Sequence, residues 1–163
     1  MRYGKINKTD IANGPGVRVS LFVSGCRNHC KGCFNSETWA FDYGEAFSLR
    51  TVDEILKALD KPYISGLSIL GGEPFEPENI IGVFELCRQV KKKYPDKTTW
   101  IYTGYVYEDF KDIPNTMEYI DVLVDGPFIE TQKDITLKFK GSKNQRIIDV
   151  QASRSSGSVK LLY

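Results

Sequence analysis

Cys26, Cys30 and Cys33 lie within one short run, Cys26-Arg27-Asn28-His29-Cys30-Lys31-Gly32-Cys33, of a 163-residue chain. Thiolates are soft ligands, and three of them at C-x₃-C-x₂-C spacing on a loop that can wrap suit a soft metal ion or an iron–sulfur cluster. A closed structural zinc site wants four protein ligands. His29 sits between two of the cysteines, where so short a loop leaves it little reach, and it reads as an exposed side chain. Cys87 is remote and falls on the apolar side of a helical pattern, so it reads as a buried core thiol. Three thiolates on a four-iron cube leave one iron without a protein ligand. An open iron can bind a substrate and pass one electron to it.

The cysteines need a scaffold, and the flanking sequence predicts one. Residues 17–23 (Val-Arg-Val-Ser-Leu-Phe-Val) form a β-branched, largely alternating run that reads as a strand. The turn cluster Asn13-Gly14-Pro15-Gly16 precedes it, and Ser24-Gly25 leads from its end into Cys26. Thr51 as N-cap with Glu54 three residues on predicts a helix start, its apolar face supplied by Ile55, Leu56 and Leu59. Residues 66–70 read as a strand ending in Gly71-Gly72-Glu73-Pro74. A helix is expected over 78–94, closing on Lys91-Lys92-Lys93, which suits the helix dipole. Residues 98–103 and 121–124 are further strands, 108–111 a short helix, and 146–150 a last strand. Residues 153–158 read as a Ser/Gly-rich loop.

Strands alternating with helices imply βαβ units, right-handed crossovers and a parallel sheet in an α/β fold. Four of the strands run into glycines at their C-terminal ends: Gly25, Gly71-Gly72, Gly104 and Gly126. Glycine eases any tight turn, yet that edge is also where parallel α/β folds bind ligands. The cysteines and the glycine loops would then share one rim.

Composition narrows the class. Apolar residues make up 41% and charged residues 26%, enough for a globular core without default disorder. Lys plus Arg number 22 against 21 for Asp plus Glu, a net charge of +1, which argues against a protein that coats nucleic acid. No apolar run is long enough to span a bilayer, and the first residues hold no apolar signal core. A single domain over 1–163 is expected, cytoplasmic, with its cysteines serving as ligands or free thiols and not as a disulfide framework.

With these motifs in place, the chain resembles the radical S-adenosylmethionine superfamily. The spacing of Cys26, Cys30 and Cys33 matches its cysteine signature, and Gly71-Gly72-Glu73, one βαβ unit later, looks like its GGE motif. The resemblance implies a partial (βα) barrel, truncated, with a mostly parallel sheet. It implies two cofactors, a 4Fe-4S cluster and S-adenosyl-L-methionine. Gly71, Gly72 and Glu73 would hold the methionyl amino group, largely through backbone atoms; glycine allows such close approach. Many members carry an aromatic residue just before the third cysteine. Here that position is Gly32, and Phe34 follows Cys33, so the adenine contact passes to Phe34 or to the backbone of residues 32–34. No catalytic side chain is implied beyond the cluster and cofactor.

A finer resemblance covers nearly the whole chain. The segments at 10–18, 21–26, 33–35 and Thr38-Trp39, then 102–105, 124–128 and 141–146, are similar to activating proteins of anaerobic ribonucleoside-triphosphate reductase. That resemblance implies reductive cleavage of S-adenosylmethionine to methionine and a 5′-deoxyadenosyl radical, which takes hydrogen from a backbone glycine of the reductase. The implied partners are the large catalytic subunit of that reductase and reduced flavodoxin or ferredoxin as electron donor. Asn13, Arg18, Thr103, Asp125 and Arg146 lie in the resembling segments, either on the rim or in turns and ion pairs. Lys138, Lys140, Lys143 and Arg146 form a locally basic stretch that suits partner docking or a solvated face. The alternatives are an activator of another glycyl-radical enzyme, such as pyruvate formate-lyase, and a non-catalytic cluster carrier or small zinc module.

Overall fold

The computed structural model describes residues 1–163. Seven strands and three helices alternate along the chain: β1 (Arg2–Asp10), β2 (Val17–Val23), β3 (Glu45–Ala46), α1 (Leu49–Leu59), β4 (Ile64–Gly71), α2 (Pro77–Lys93), β5 (Thr98–Tyr102), β6 (Val122–Asp125), β7 (Arg146–Asp149) and α3 (Val150–Ser156). All strands belong to one sheet, in the order β3-β1-β2-β4-β5-β6-β7. No helix is long and apolar enough to cross a membrane.

The sheet is mixed and does not close. β2, β4, β5 and β6 run parallel. β1 is antiparallel to β2, β3 to β1, and β7 to β6. This corrects the expectation of a mostly parallel barrel sheet, and connection length explains it. Only six residues separate β1 from β2, and no α-helix, only the single 3-10 turn Glu130–Gln132, separates β6 from β7. A parallel neighbour needs a crossover of a dozen or more residues, usually helical. Returns that are short or lack an α-helix therefore give antiparallel edges, with β3 and β7 as the outermost strands and residues 160–162 bridged to β7.

Alternation along the strands sorts the two faces. Val19, Leu21 and Val23, with Leu67, Ile69, Ile101 and Leu123, join residues of α1 and α2 such as Ile55, Leu59, Val83, Leu86, Cys87 and Val90 in the main core. The opposite face carries Trp100, Val122, Val124 and Ile147, with Phe139 and Tyr102 packed on them. It also holds a buried polar layer. Arg18 is fully buried and donates from Nε to Ser68 Oγ at 2.8 Å and from Nη2 to the Leu67 and Thr98 carbonyls. The Asn13 carbonyl accepts from Ser68 Oγ at 2.6 Å, so the turn between β1 and β2 folds across this face. This face of the sheet is thus plugged at one end, and its other end holds a cavity.

Two local expectations change. The first helix begins at Leu49, two residues before the expected cap. Ser48 is its N-cap, and its backbone N–H donates to Thr51 Oγ1 at 3.1 Å. Glu54 pairs with Lys8 instead. Residues 153–158 are largely helical and not a loop. Asp149 caps α3 by accepting from the Ala152 N–H at 3.0 Å, and Gly157 ends the helix at φ +75°. β1 was not foreseen, because Tyr3 and Ile6 are almost its only apolar residues.

Candidate functional site: a cysteine-lined cavity at the strand ends

The C-terminal ends of β2, β4, β5 and β6 meet around a cavity of about 480 Å³ lined by Cys26, Cys30 and Cys33 together with Gly71, Gly72, Glu73, Gly104 and Gly126. That size is typical of a small-molecule or cofactor site. The cysteine loop leaves β2 through Ser24 and Gly25, the latter at φ +99°. Two backbone bonds clamp its start: Gly25 N–H donates to the Thr38 carbonyl at 2.7 Å and Cys26 N–H to the Trp39 carbonyl at 3.0 Å. Farther on, Cys33 N–H closes a turn on the Cys30 carbonyl at 3.1 Å.

Side chains strap the same loop to the start of α2. Arg27 pairs with the fully buried Glu76 carboxylate and with Glu78, and its guanidinium lies 4.4 Å from the Phe41 ring centre. Tyr105 OH donates to the other oxygen of Glu76 at 2.7 Å. Asn28 donates to Glu73 at 3.1 Å. The cysteines are therefore carried on a loop fixed from three sides.

Glu73 is the hub of the site. Its carboxylate accepts from Thr103 Oγ1 at 2.6 Å, Gly104 N–H at 2.7 Å and Phe75 N–H at 2.9 Å, besides Asn28. Burial pushes the carboxyl up to about 7, against the pull of the Thr103, Phe75 and Gly104 donors. With its oxygens engaged by the protein, the side chain is a brace joining three loops. The two glycines before it are required by crowding. Gly71 sits at φ +104°, and a Cβ at Gly72 would stand 2.6 Å from the Gly25 carbonyl oxygen and 2.9 Å from that of Thr38. At Gly72 the close approach is of backbone to backbone.

The cysteines differ in setting. Burial raises the Cys26 thiol, offset in part by the Asn28 and His29 amides. Asn35 N–H donates to Cys33 Sγ at 3.4 Å. Cys30 and Cys33 are half-buried, and no disulfide forms. The three thiols face one cavity without converging on a point: no three His, Cys, Asp or Glu side chains form a set that could hold a single metal ion. A four-iron cube is wider than an ion, so thiols spread around one space fit it better than they fit zinc. Cys87 is fully buried on α2, its thiol pushed up to about 12 by burial, and belongs to the core. His29 is exposed and stacks on Trp39 with ring centres 4.3 Å apart.

Of the remaining expected residues, Phe34 lines the cavity beside Phe128, at 5.2 Å between ring centres. Gly32 does not line it; it turns at φ +77° against Glu130. Asn13 and Thr103 lie on the wall. Arg18 is in the buried polar layer, while Asp125 and Arg146 form an ion pair at 2.6 Å that Glu108 extends. Lys140 reaches the cavity and donates to the Gln145 carbonyl. Sequence reasoning missed Asn28 on the wall and Asp134, Ile135, Leu137 and Phe139 on the flank, and it reached Tyr102, Gly141 and Gln145 only as parts of resembling segments and Lys140 only as part of the basic stretch. Trp39 enters the sequence reading only as part of the resembling pair Thr38-Trp39, with no role attached, and the fold brings it to the wall.

Comparison with known proteins agrees with this geometry. Residues 12–148 match the family model described as a 4Fe-4S single cluster domain. The chain is 43% identical over 150 residues to the anaerobic ribonucleoside-triphosphate reductase-activating protein of Vibrio cholerae, covering 90% of this chain and 97% of that one. It is 41% identical over 149 residues to the protein of that name from Enterobacteria phage T4 (90% and 93% covered), and 37% identical over 148 residues to that of Escherichia coli K12 (89% and 96%). The chain belongs to the anaerobic ribonucleoside-triphosphate reductase-activating protein family.

Proposed function

We propose that this chain activates an anaerobic ribonucleoside-triphosphate reductase by generating a glycyl radical on its large catalytic subunit. The observation that carries the reading is the meeting of three thiols and the Gly71–Glu73 turn on one cavity, at the strand ends of a member of this family. Cys26, Cys30 and Cys33 would hold a 4Fe-4S cluster, leaving one iron for S-adenosyl-L-methionine. When bound, that pair supplies a one-electron cleavage of the sulfonium to methionine and a 5′-deoxyadenosyl radical, which takes hydrogen from the partner's glycine. Reduced flavodoxin or ferredoxin is the fitting electron source.

The protein's own part is to hold and to shape. The Arg27 strap and the residue 38–39 clamp keep the three thiols on one loop. Glu73 braces the β4 and β5 ends, which leaves the backbone of residues 71–73 to meet the methionyl group. Phe34 and Cys33 supply the side on which the adenine packs, and the turn at Gly32, outside the cavity, sets their course. The open sheet is what a truncated (βα) barrel of the radical S-adenosylmethionine type leaves, and its uncovered mouth gives a partner's backbone glycine room to enter.

The test is anaerobic reconstitution with iron and sulfide, reduction, and addition of S-adenosylmethionine with the reductase large subunit. We expect 5′-deoxyadenosine and a glycyl-radical EPR signal on the reductase. Cleavage without a radical on the reductase, or a radical formed only on pyruvate formate-lyase, would redirect the partner. No cleavage at all from a cluster-loaded protein would sink the reading.

A further inference from the structure

We propose that Trp39 donates its indole N–H to a sulfur of the cluster held at the cysteine loop, and so sets how readily that cluster accepts an electron. Trp39 Nε1 is buried and has no hydrogen-bond partner in the protein. Buried indole N–H groups normally find one, because a bare donor away from water is costly. The indole has a donor and no acceptor, so its missing partner must be an acceptor.

Position says where that acceptor lies. Trp39 lines the cavity with all three cysteines. Its carbonyl accepts from the Cys26 N–H, and its ring stacks on His29, the residue before Cys30, at an interplanar angle of 10°. The indole is thus tied to the cysteine loop near its first and second thiols. An amide already addresses another of the sulfurs: Asn35 N–H donates to Cys33 Sγ at 3.4 Å. The second orphan on this cavity, the Tyr102 hydroxyl, stands on β5 away from the loop and can both donate and accept, so it singles out no ligand atom.

Hydrogen bonds to the sulfurs are among the determinants of an iron–sulfur cluster's potential. One-electron reduction makes those sulfurs more negative, so an N–H donor binds the reduced form more strongly and raises the midpoint. The inference rests on the cluster reading above.

The test uses the full chain, reconstituted anaerobically, with Trp39 replaced by 3-benzothienylalanine. That residue keeps the bicyclic shape and lacks the N–H. Trp39→Phe serves as a second variant and is expected to shift the midpoint in the same direction. Each protein is poised with mediators and dithionite as the one-electron reductant, and the reduced cluster is followed by EPR. We expect iron and sulfide contents equal to wild type and a cluster about tenfold harder to reduce, a midpoint about 59 mV lower for a one-electron couple. An unchanged midpoint in the benzothienyl protein overturns the proposal, whatever Trp39→Phe does. A shift seen only after S-adenosylmethionine is added overturns it too, since the acceptor would then belong to that molecule. A benzothienyl protein that binds no iron also counts against it, because one N–H tunes a cluster and does not hold it. Wild type that takes up no iron and sulfide fails at the earlier step and overturns the cluster reading itself.

Discussion

Four cysteines of one chemical type occupy three environments, and reactivity should separate them. Cys87 has no exposed surface and a thiol pushed up to about 12; Cys26 is 8% exposed, and burial raises it. Cys30 and Cys33 are half-buried at the cavity. Alkylation depends on thiolate character and access. In the cluster-free native protein, iodoacetamide should therefore label Cys30 and Cys33 first, Cys26 slowly, and Cys87 only on unfolding. Peptide mapping by mass spectrometry over time checks the order, and early labelling of Cys87 would contradict the core assignment. Glu73 makes a second case at this scale. Its native carboxyl, near 7, holds a proton more tightly than the unfolded chain does at an ordinary value of 4.5. The stability it contributes is therefore full below about 4.5 and is lost as pH rises through about 7, on the order of 3 kcal/mol in all. Glu73→Gln cannot titrate. Urea unfolding of both proteins between pH 4.5 and 8 should show their stability difference changing by that order. A difference independent of pH would mean that the surrounding donors keep the carboxylate ionised throughout.

Elements explain what the residues alone cannot. The cysteine loop is short, yet the start of α2 holds it through Arg27, whose partner Glu76 is fully buried. Removing that guanidinium leaves Glu76 with Tyr105 as its remaining side-chain donor and frees residues 27–33 on one side. Arg27→Ala should speed amide hydrogen exchange in the cysteine loop while leaving β4 unchanged, and Arg27→Lys should restore part of the protection. Equal exchange in all three proteins would assign the loop's order to residues 38–39 alone. Gly72→Ala tests the opposite wall. Its new Cβ would meet two backbone carbonyls, which cannot swing aside as a side chain can, so a loss of about 1–3 kcal/mol in chemical unfolding is expected. What the sequence made legible follows the same division. Strands such as β2 and β4 were readable because alternation and glycine punctuation mark a buried strand and its end. β1 was not, since an edge-side strand with few apolar residues carries no period. α3 was hidden by serines that disfavour a helix interior, although its Asp149 cap and Gly157 stop were both present in the sequence. The site followed suit: thiols and glycines were identifiable by type, whereas Asn28 and Tyr102 matter only through the fold that brings them to the cavity.

At the scale of the whole molecule, the open sheet gathers distant segments at one edge. Residues within 26–39, 70–73, 102–104 and the flank from Asp134 to Gln145 share the cavity, and Glu73 and Arg27 tie the first three segments and the start of α2 together. The far end of the same face is sealed by Arg18 and the turn that carries Asn13. A group bound at the three thiols would therefore act on the fold and not on a loose loop, because ligand binding to the native state adds to its stability by mass action. At a free concentration about 100 times the dissociation constant the gain is about 2.7 kcal/mol. For a chain of this length that corresponds to a Tm higher by roughly 5–10 °C. Anaerobic scans of reconstituted and cluster-free protein should show that rise. Hydrogen exchange should slow together at the cysteine loop, the Gly71–Glu76 turn and the Thr103–Tyr105 loop. Cys30→Ala should abolish both effects, because two thiols cannot hold the cube in place. Cys87→Ala should retain both from a baseline lower by about 1 kcal/mol, the cost of a small core cavity. A cluster that raises Tm equally in Cys30→Ala and wild type would be bound somewhere other than the strand ends. Protection confined to residues 26–33 would show that the brace through Glu73 does not couple the loop to the sheet.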